Sequence, residues 1–299
     1  MTARHHPPRP DGGPRKFAAA PEPVILVLAD ISGYTRFLTA NAKSLAHSQT
    51  VITELIQAIV RHAELPLELA KLEGDAVFFV ARQPGCDPDA AIAATGWGLR
   101  LLGFFETFRR SLHALASATT CTCGACTHLG GLRLKLIVHA GVALNHEVAG
   151  LHEWAGPDVI LAHRLLKNSV ASREYLLLTA AAAPFVALPP ELPVRGTVER
   201  YADFDPVCAA VFHPVADDRT APDVPTAVFM LGWQWRLWMG TVAGPARRHR
   251  GPGHPPPRLG SLLARIALAA VSVVLAPILL PVNFFNALRR RAGLPVRSG

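Results

Sequence analysis

The sequence lacks a disulfide framework and a secretory signal. Only five cysteines occur among 299 residues, and three of them fall within residues 121–126. Residues 1–21 are polar and contain no apolar run of the kind found in a signal peptide. These two absences argue against a secreted, disulfide-stabilised protein. We therefore expect the bulk of the chain to remain in the cytosol.

Acidic residues are absent from residues 236–299, which contain ten arginines. Residues 17–235 carry a net charge of −5, and residues 1–16 a net charge of +3. A basic tail on a mildly acidic body predicts an anionic partner for the tail, either lipid headgroups or nucleic acid. The arginine-rich part has no interleaved aromatic residues that could stack on bases, so lipid fits better and we do not expect nucleic acid.

Half of the residues are hydrophobic, and a chain of this length can form one domain of about 150–200 residues with additional segments. The composition along the chain predicts four parts. They are a disordered leader (1–21), one globular domain (22–213), a linker with a tryptophan-rich segment (214–258) and an apolar tail (259–299).

The tail contains an uncharged stretch of 20 residues, 266–285, which is followed by three consecutive arginines. A helix of that length just spans a hydrocarbon layer of about 30 Å. Pro277 and Pro281 would kink such a helix, so a kinked hairpin or an interfacial helix is an alternative, as is a buried core helix. We expect a tail associated with the cytoplasmic side of a membrane.

Periodicity in the body predicts an α+β fold. Residues 24–28 and the two halves of 67–80 read as strands, residues 132–144 as strand, turn and strand, and short strands are expected at 175–178, 197–202 and 207–212. Helical patterns cover 34–62, 88–116 and 156–171. The β-α-β-β-α-β order indicates a ferredoxin-like sandwich with helices on one face of the sheet.

Two acidic residues stand where predicted strands end. Asp30 follows the first predicted strand, and Asp75 lies in the Gly-Asp turn between the second and third predicted strands. Acidic residues at such places often only cap or solvate a turn. If these strands are neighbours, however, the two carboxylates converge and offer the oxygen ligands that Mg²⁺ or Mn²⁺ needs beside a nucleoside triphosphate. The turn Ser32-Gly33-Tyr34-Thr35, which opens a helix, would present backbone N–H groups to the phosphates.

Four segments, in order, resemble motifs of the class III adenylate and guanylate cyclases and together span about residues 23–212. The segments are ADISGYT (29–35), KLEGD (71–75), LIVHAG (136–141) and GPDVILAHRL (156–165).

The resemblance implies that the chain binds ATP or GTP together with two magnesium or manganese ions. It implies metal binding by Asp30, Ile31 and Asp75. It also implies that the catalytic residue Arg164 stabilises charge on the phosphates, and that the sites form between the two halves of a head-to-tail homodimer.

Two further residues would contact the purine. The resemblance implies this role for Lys71, and Glu153 stands where many of these cyclases have a purine-contacting aspartate.

Ile160 departs from the family pattern, which has an asparagine that orients the ribose at this place. Isoleucine can neither donate nor accept a hydrogen bond, and the loss of one preorganised polar contact costs about 10²- to 10³-fold in rate. Two hypotheses therefore stand at this point. One is a cyclase that forms a cyclic nucleotide and pyrophosphate, and the other is a catalytically degenerate regulatory module that still binds nucleotide.

The cluster Cys121-x-Cys123-x-x-Cys126 resembles an insertion in a bacterial group of cyclase-like proteins. Three thiolates in six residues suit a tetrahedral zinc ion that needs one more ligand. His128, His113 and Cys86 are the candidates for that ligand. A redox or iron–sulfur role and plain thiols are the alternatives.

Overall fold

The computed structural model describes residues 20–40, 45–63, 66–83, 90–119, 123, 126, 128–148, 150–214, 229 and 232–237. Within these residues, eight strands form one sheet. They are β1 (Glu22–Ser32), β2 (Glu68–Glu73), β3 (Ala76–Arg82), β4 (Arg133–Val148), β5 (Leu151–Ala155), β6 (Tyr175–Thr179), β7 (Val194–Glu199) and β8 (Val207–Phe212).

The sheet is accompanied by helices α1 (Tyr34–Ala40), α2 (Leu45–His62), α3 (Ala90–Ala118) and α4 (Pro157–Arg164). Short 3₁₀ turns follow at Leu129–Gly131, Leu165–Lys167 and Ala183–Phe185. The α+β class and the predicted element order are thereby confirmed. The last predicted helix is shorter than expected, and the Asn168 side chain donates a hydrogen bond to the Leu165 carbonyl just beyond its end.

The strand order is β2-β3-β1-β4-β6-β8-β7, and β5 pairs with the distal half of β4. The central strand β1 is antiparallel to both β3 and β4, whereas β4 and β6 are parallel and are connected through α4. This register sets Asp30 opposite Ala76 on one side and opposite Lys135 on the other. Asp30 therefore lies between the β2–β3 turn on one side and β4 on the other.

The prediction of a turn within residues 132–144 is wrong, because β4 runs without interruption from Arg133 to Val148. Gly141 is needed for a close approach rather than for a turn. A Cβ atom placed on Gly141 would lie 2.2 Å from Cγ of Asp158, whose carboxylate accepts a hydrogen bond from the Val142 N–H at 2.7 Å.

Helices cover both faces of the sheet, which corrects the prediction that they lie on one face. Alternate residues of β1 point into two separate cores: Ile25 and Val27 into one, Leu26 and Leu28 into the other. Helices α2 and α3 contribute to the first core, and α4 contributes to the second. A central strand that is apolar on both faces requires cover on both, and α4 provides it.

Residues 232–237 are helical and pack on the body of the protein, although the sequence places them in a linker. Trp233 is fully buried in the core formed with α2 and α3, and its indole N–H donates to Oγ1 of Thr119 at 2.7 Å. Arg236 forms an ion pair with Glu54 of α2 at 3.2 Å. The tryptophan-rich segment thus contributes to the core at its described positions.

The predicted leader and the uncharged stretch 266–285 lie outside the described residues, apart from Ala20 and Pro21. Among the helices that the structure describes, none combines the length and the apolar character required to cross a membrane.

Candidate functional site

The two predicted metal-binding acids, Asp30 and Asp75, lie at the same end of the sheet. Asp75 and Gly74 form the turn between β2 and β3, and Gly74 adopts a left-handed φ of +67° that permits so tight a turn. The turn is joined to β1 by a hydrogen bond from the Ile31 N–H to the Asp75 carbonyl at 3.3 Å. The side chains of Asp30 and Asp75 come within hydrogen-bonding reach of each other.

The proximity of these carboxyl groups changes the acidity of Asp75. Partial burial, and then the negative charge of Asp30, raise the pKa of the Asp75 carboxyl to about 6 from its ordinary value of 3.8. The positive charge of Lys135 opposes this shift. Two carboxylates that repel each other in a partly desolvated place are a favourable environment for a cation.

Lys135 is the site residue that the sequence analysis missed. Its Nζ lies 2.8 Å from Oδ2 of Asp30 and donates a hydrogen bond to the Leu166 carbonyl at 3.0 Å. A usable signal was present in the sequence: Lys135 shares a face of β4 with buried Ile137, where a charged residue is out of place. The ammonium group ties the acidic site to the residues that follow α4.

The turn after β1 is held in the predicted manner. Gly33 has a φ of +92°, and its carbonyl accepts the first helical hydrogen bond of α1, from the Phe37 N–H at 2.9 Å. Burial, and then the nearby charge of Asp75, raise the pKa of the Tyr34 phenol. Ser32 is the last residue of β1, and Thr35 is exposed.

The two residues assigned to purine contact form an ion pair. Lys71 of β2 places Nζ 3.1 Å from both carboxylate oxygens of Glu153 on β5. Both side chains are partly exposed, at 46% and 34%, so a ligand could reach them. Their pairing was not expected from their separation of 82 positions along the chain.

Helix α4 carries the remaining predicted residues. It follows Gly156, whose φ of +143° suits glycine. Arg164 lies on an exposed side of the helix, and Ile160 is 54% exposed.

A buried histidine fixes α4 to the sheet. His139 on β4 is 4% exposed, with Nδ1 3.0 Å from Oγ1 of Thr179 and Nε2 3.3 Å from Oδ1 of Asp158. His139 is therefore a hydrogen-bonded core residue. Burial lowers the pKa of its imidazole, and Asp158 opposes that effect.

The cysteine cluster meets a histidine that the sequence analysis did not consider. Nδ1 of His47, in the first turn of α2, lies 3.5 Å from Sγ of Cys123 and 3.9 Å from Sγ of Cys126. His128 is exposed and is not a member of this group, and His113 lies 3.4 Å from the Ser117 hydroxyl. Cys121 and Cys86 lie outside the described residues.

Comparison with known proteins gives one family and one curated relative. The model of a family described as a protein of unknown function (DUF2652) matches residues 52–175, less than half of the chain. The uncharacterized protein Rv2561/Rv2562 of Mycobacterium tuberculosis is 33% identical over 132 residues, which are 44% of this chain. The match spans 58% of that relative's length.

Solved structures with a similar backbone include three nucleotidyl cyclases. The adenylyl cyclase CyaB from P. aeruginosa has a TM-score of 0.49 and covers 67% of this chain and 97% of its own. The guanylyl cyclase Cya2 has a TM-score of 0.44, and the match covers 70% of this chain and 100% of Cya2. A bacterial light-regulated adenylyl cyclase has a TM-score of 0.48, and the match covers 75% of this chain and 60% of that cyclase. Each is 14% identical to this chain.

In the structure, predicted site residues come together in two places. The acidic pair, Lys135 and the Gly33 turn meet at one end of β1, while Lys71 and Glu153 meet where β2 approaches β5. The first place can bind a cation and anionic phosphate oxygens through groups of opposite charge. The second can exchange its internal ion pair for hydrogen bonds to a polar ring edge.

Proposed function

We propose that this chain is a class III nucleotidyl-cyclase-like protein that binds a purine nucleoside triphosphate with two divalent metal ions. The observation that carries the proposal is the convergence of the Asp30 and Asp75 side chains at one end of β1. Their motifs resemble those of the cyclases, and burial, followed by the negative charge of the neighbouring Asp30, raises the pKa of Asp75.

The donor set fits magnesium or manganese. Two carboxylates and the Ile31 carbonyl supply hard oxygen ligands of the type both ions prefer. The metal ions, when bound, neutralise charge on the phosphates and polarise the attacking hydroxyl. Burial is the main cause of the raised pKa of Asp75, and a cation at this place would offset the second cause, the negative charge of Asp30.

The other residues of the site have complementary tasks. Backbone N–H groups of the turn at Gly33 would bind phosphate oxygens, and Lys135 adds positive charge beside Asp30. Lys71 and Glu153 would contact the purine: the ammonium donates to ring acceptors, and the carboxylate accepts from an amino group. Arg164 would stabilise the negative charge that builds up on the phosphates.

A head-to-tail homodimer is part of the proposal. The acidic half and the Lys71, Glu153 and Arg164 half would then face each other across two copies of the chain. Exposed apolar side chains support such a contact, because they occur on the elements that carry the second half. They are Leu69 and Leu72 on β2, Leu151 on β5 and Ile160 on α4.

A non-catalytic regulatory module is the second candidate, and Ile160 favours it. Where the cyclases have an asparagine, this chain presents an exposed apolar side chain that cannot orient a ribose hydroxyl. Nucleotide occupancy of the site would then change the dimer equilibrium without turnover.

Membrane association of the tail is a further part of the proposal and depends on sequence alone. The uncharged stretch 266–285 and the arginines on both sides of it suit an anionic bilayer. Co-flotation of the full chain with anionic vesicles tests it, with a chain ending at residue 258 as the control. That end point keeps Trp233 in the core. Equal flotation of the two chains would contradict the idea.

The decisive experiment uses the purified full chain with ATP or GTP and Mn²⁺. Cyclic nucleotide and pyrophosphate that disappear in Asp30→Ala and Asp75→Asn, but not in the exposed control Asp203→Asn, support the enzyme. Metal-dependent nucleotide binding without product, abolished by the same two variants, supports the regulatory module. Absence of both binding and product would contradict the proposal.

A further inference from the structure

The group formed by His47, Cys123 and Cys126 is separate from the acidic site. Its three ligand atoms all lie within 4.8 Å of one another. We propose that these residues bind a structural zinc ion and that His47 is the histidine ligand. The inference does not depend on the proposed nucleotide function.

The distances agree with a tetrahedral zinc site. Zn–S bonds of about 2.3 Å and Zn–N bonds of about 2.0–2.1 Å place a sulfur and a nitrogen ligand about 3.6 Å apart at the tetrahedral angle. Nδ1 of His47 lies 3.5 Å from Cys123 Sγ and 3.9 Å from Cys126 Sγ. Both nitrogen–sulfur distances are therefore within about 0.3 Å of the separation in a zinc site.

A simple hydrogen bond explains the group less well. An imidazole nitrogen has one lone pair or one proton, so a single two-centre hydrogen bond accounts for only one of the two sulfurs. Here two sulfurs approach the same nitrogen, and one of them, Cys126, is 4% exposed and packs in the main core. A metal ion binds all three atoms at once.

The charge balance also favours zinc. Binding requires two thiolates and a neutral imidazole, so the two cysteine thiols release their protons to solvent as the ion enters. Two negative charges then compensate the dipositive ion at a partly buried place. The chemistry is soft-ligand coordination, which selects zinc over the Mg²⁺ or Mn²⁺ of the acidic site.

The position of the group gives the ion a structural task. His47 lies at the start of α2, whereas the cysteines lie between α3 and the 3₁₀ turn Leu129–Gly131. That turn is in contact with the residues after β1, since a Cβ atom on Gly33 would lie 3.4 Å from the Gly131 carbonyl oxygen. Zinc would thus connect α2 to a segment that packs behind the Gly33 turn.

The described residues supply three ligands, and a structural zinc site has four. Cys121, which the sequence predicts as a ligand, is the natural candidate to test. Cys121→Ser is therefore included as a variant, and the proposal for His47, Cys123 and Cys126 stands or falls without it.

The first test measures the zinc content of the purified full chain by inductively coupled plasma mass spectrometry. We expect about one zinc per chain after reconstitution with ZnCl₂ under reducing conditions. His47→Ala, Cys123→Ser and Cys126→Ser should each lower zinc affinity by at least tenfold. His113→Ala and Cys208→Ser are matched controls and should leave zinc affinity unchanged. His128→Ala should also leave it unchanged if His47, and not the His128 predicted from the sequence, is the histidine ligand.

X-ray absorption at the zinc edge of the wild-type chain keeps the test decisive if a variant fails to fold. Mixed sulfur and imidazole scattering from one bound zinc is the expected result, and Co²⁺ substitution should give thiolate charge-transfer bands that His47→Ala changes. Three outcomes would overturn the proposal: no zinc after reconstitution, an ion bound through oxygen alone, or a Cys123–Cys126 disulfide in the protein kept under reducing conditions.

Discussion

Lys135 and Asp30 face each other on neighbouring strands, with Nζ 2.8 Å from Oδ2, and both side chains are less than 20% exposed. The same ammonium group donates to the Leu166 carbonyl just after α4. In the absence of other ligands, Lys135 is thus the resident cation of the acidic site. Its charge also opposes the rise in the pKa of Asp75.

Substitution of Lys135 by methionine should strengthen metal binding when no nucleotide is present. The ammonium occupies an Asp30 oxygen and repels any second cation, so its loss should tighten Mn²⁺ binding about fivefold, or ~1 kcal/mol. Calorimetric titration of the full chain with Mn²⁺ measures the change. Lys167→Met, at an exposed position, is the control. Weaker binding by Lys135→Met would mean that the ammonium positions Asp30 for the metal.

The raised pKa of Asp75 predicts a specific pH dependence of stability. Because its pKa in the folded state, about 6, exceeds the ordinary value of 3.8, the protonated carboxyl stabilises the fold. This contribution is complete below about pH 3.8 and is lost as the pH rises through 6. A shift of about two units is worth ~3 kcal/mol, which solvent screening at this half-buried group reduces to about 1–2 kcal/mol.

As the pH rises from 4 to 7 in metal-free buffer, the free energy of unfolding of Asp75→Asn should therefore increase relative to that of the wild type. Urea unfolding at both pH values measures the difference in the free energy of unfolding. Asp203→Asn, an exposed substitution of the same kind, should show no such trend. A constant difference between Asp75→Asn and the wild type would contradict the raised pKa of Asp75. Added Mn²⁺ should reverse the order, because it binds the ionised pair.

Sequence patterns predicted the local elements well and their partners poorly. The strand ending at Asp30 and the turn at Asp75 are local features, since an apolar run and a Gly-Asp pair are readable within a few residues. The contacts Lys135–Asp30 and Lys71–Glu153 depend on strand register, which no local pattern specifies. His47 and Cys123 are 76 positions apart, so only the packing of α2 could reveal the histidine.

Gly141 shows how the same residue type can be misread. Gly141 falls within residues 132–144, for which a turn is predicted, and glycine commonly marks turns. The structure instead has an extended strand, and the missing side chain makes room for Asp158. A sequence cannot distinguish the two uses of glycine when the approaching group comes from a helix 17 positions later.

Loss of the hydrogen bond between Trp233 and Thr119 should destabilise the whole domain. Thr119→Val keeps the shape of the side chain but leaves the buried indole N–H without its acceptor, at a cost of about 1–3 kcal/mol. Trp233→Ala should cost about 3–5 kcal/mol, since it empties a fully buried position. Trp235→Ala is the control, because Trp235 is 50% exposed and should change stability by less than about 0.5 kcal/mol.

Thermal and urea unfolding of the three variants provide the measurement. Equal effects of Trp233→Ala and Trp235→Ala would show that residues 232–237 do not belong to the folded domain. Deletion of everything after residue 214 should then also be harmless, whereas the buried position of Trp233 predicts that such a truncation unfolds at lower denaturant concentration.

Ile160→Asn tests whether turnover is limited by one missing polar contact. The side chain of Ile160 is 54% exposed on α4, so asparagine can be accommodated there without repacking the core. If the rest of the site is competent, the amide should orient the ribose and raise the rate of cyclic product formation about 10²-fold with little change in KM. Ile160→Val keeps the apolar character and should leave the rate unchanged. Nucleotide binding without any gain in product in Ile160→Asn would assign the site to regulation, because the obvious defect would then have been repaired without effect.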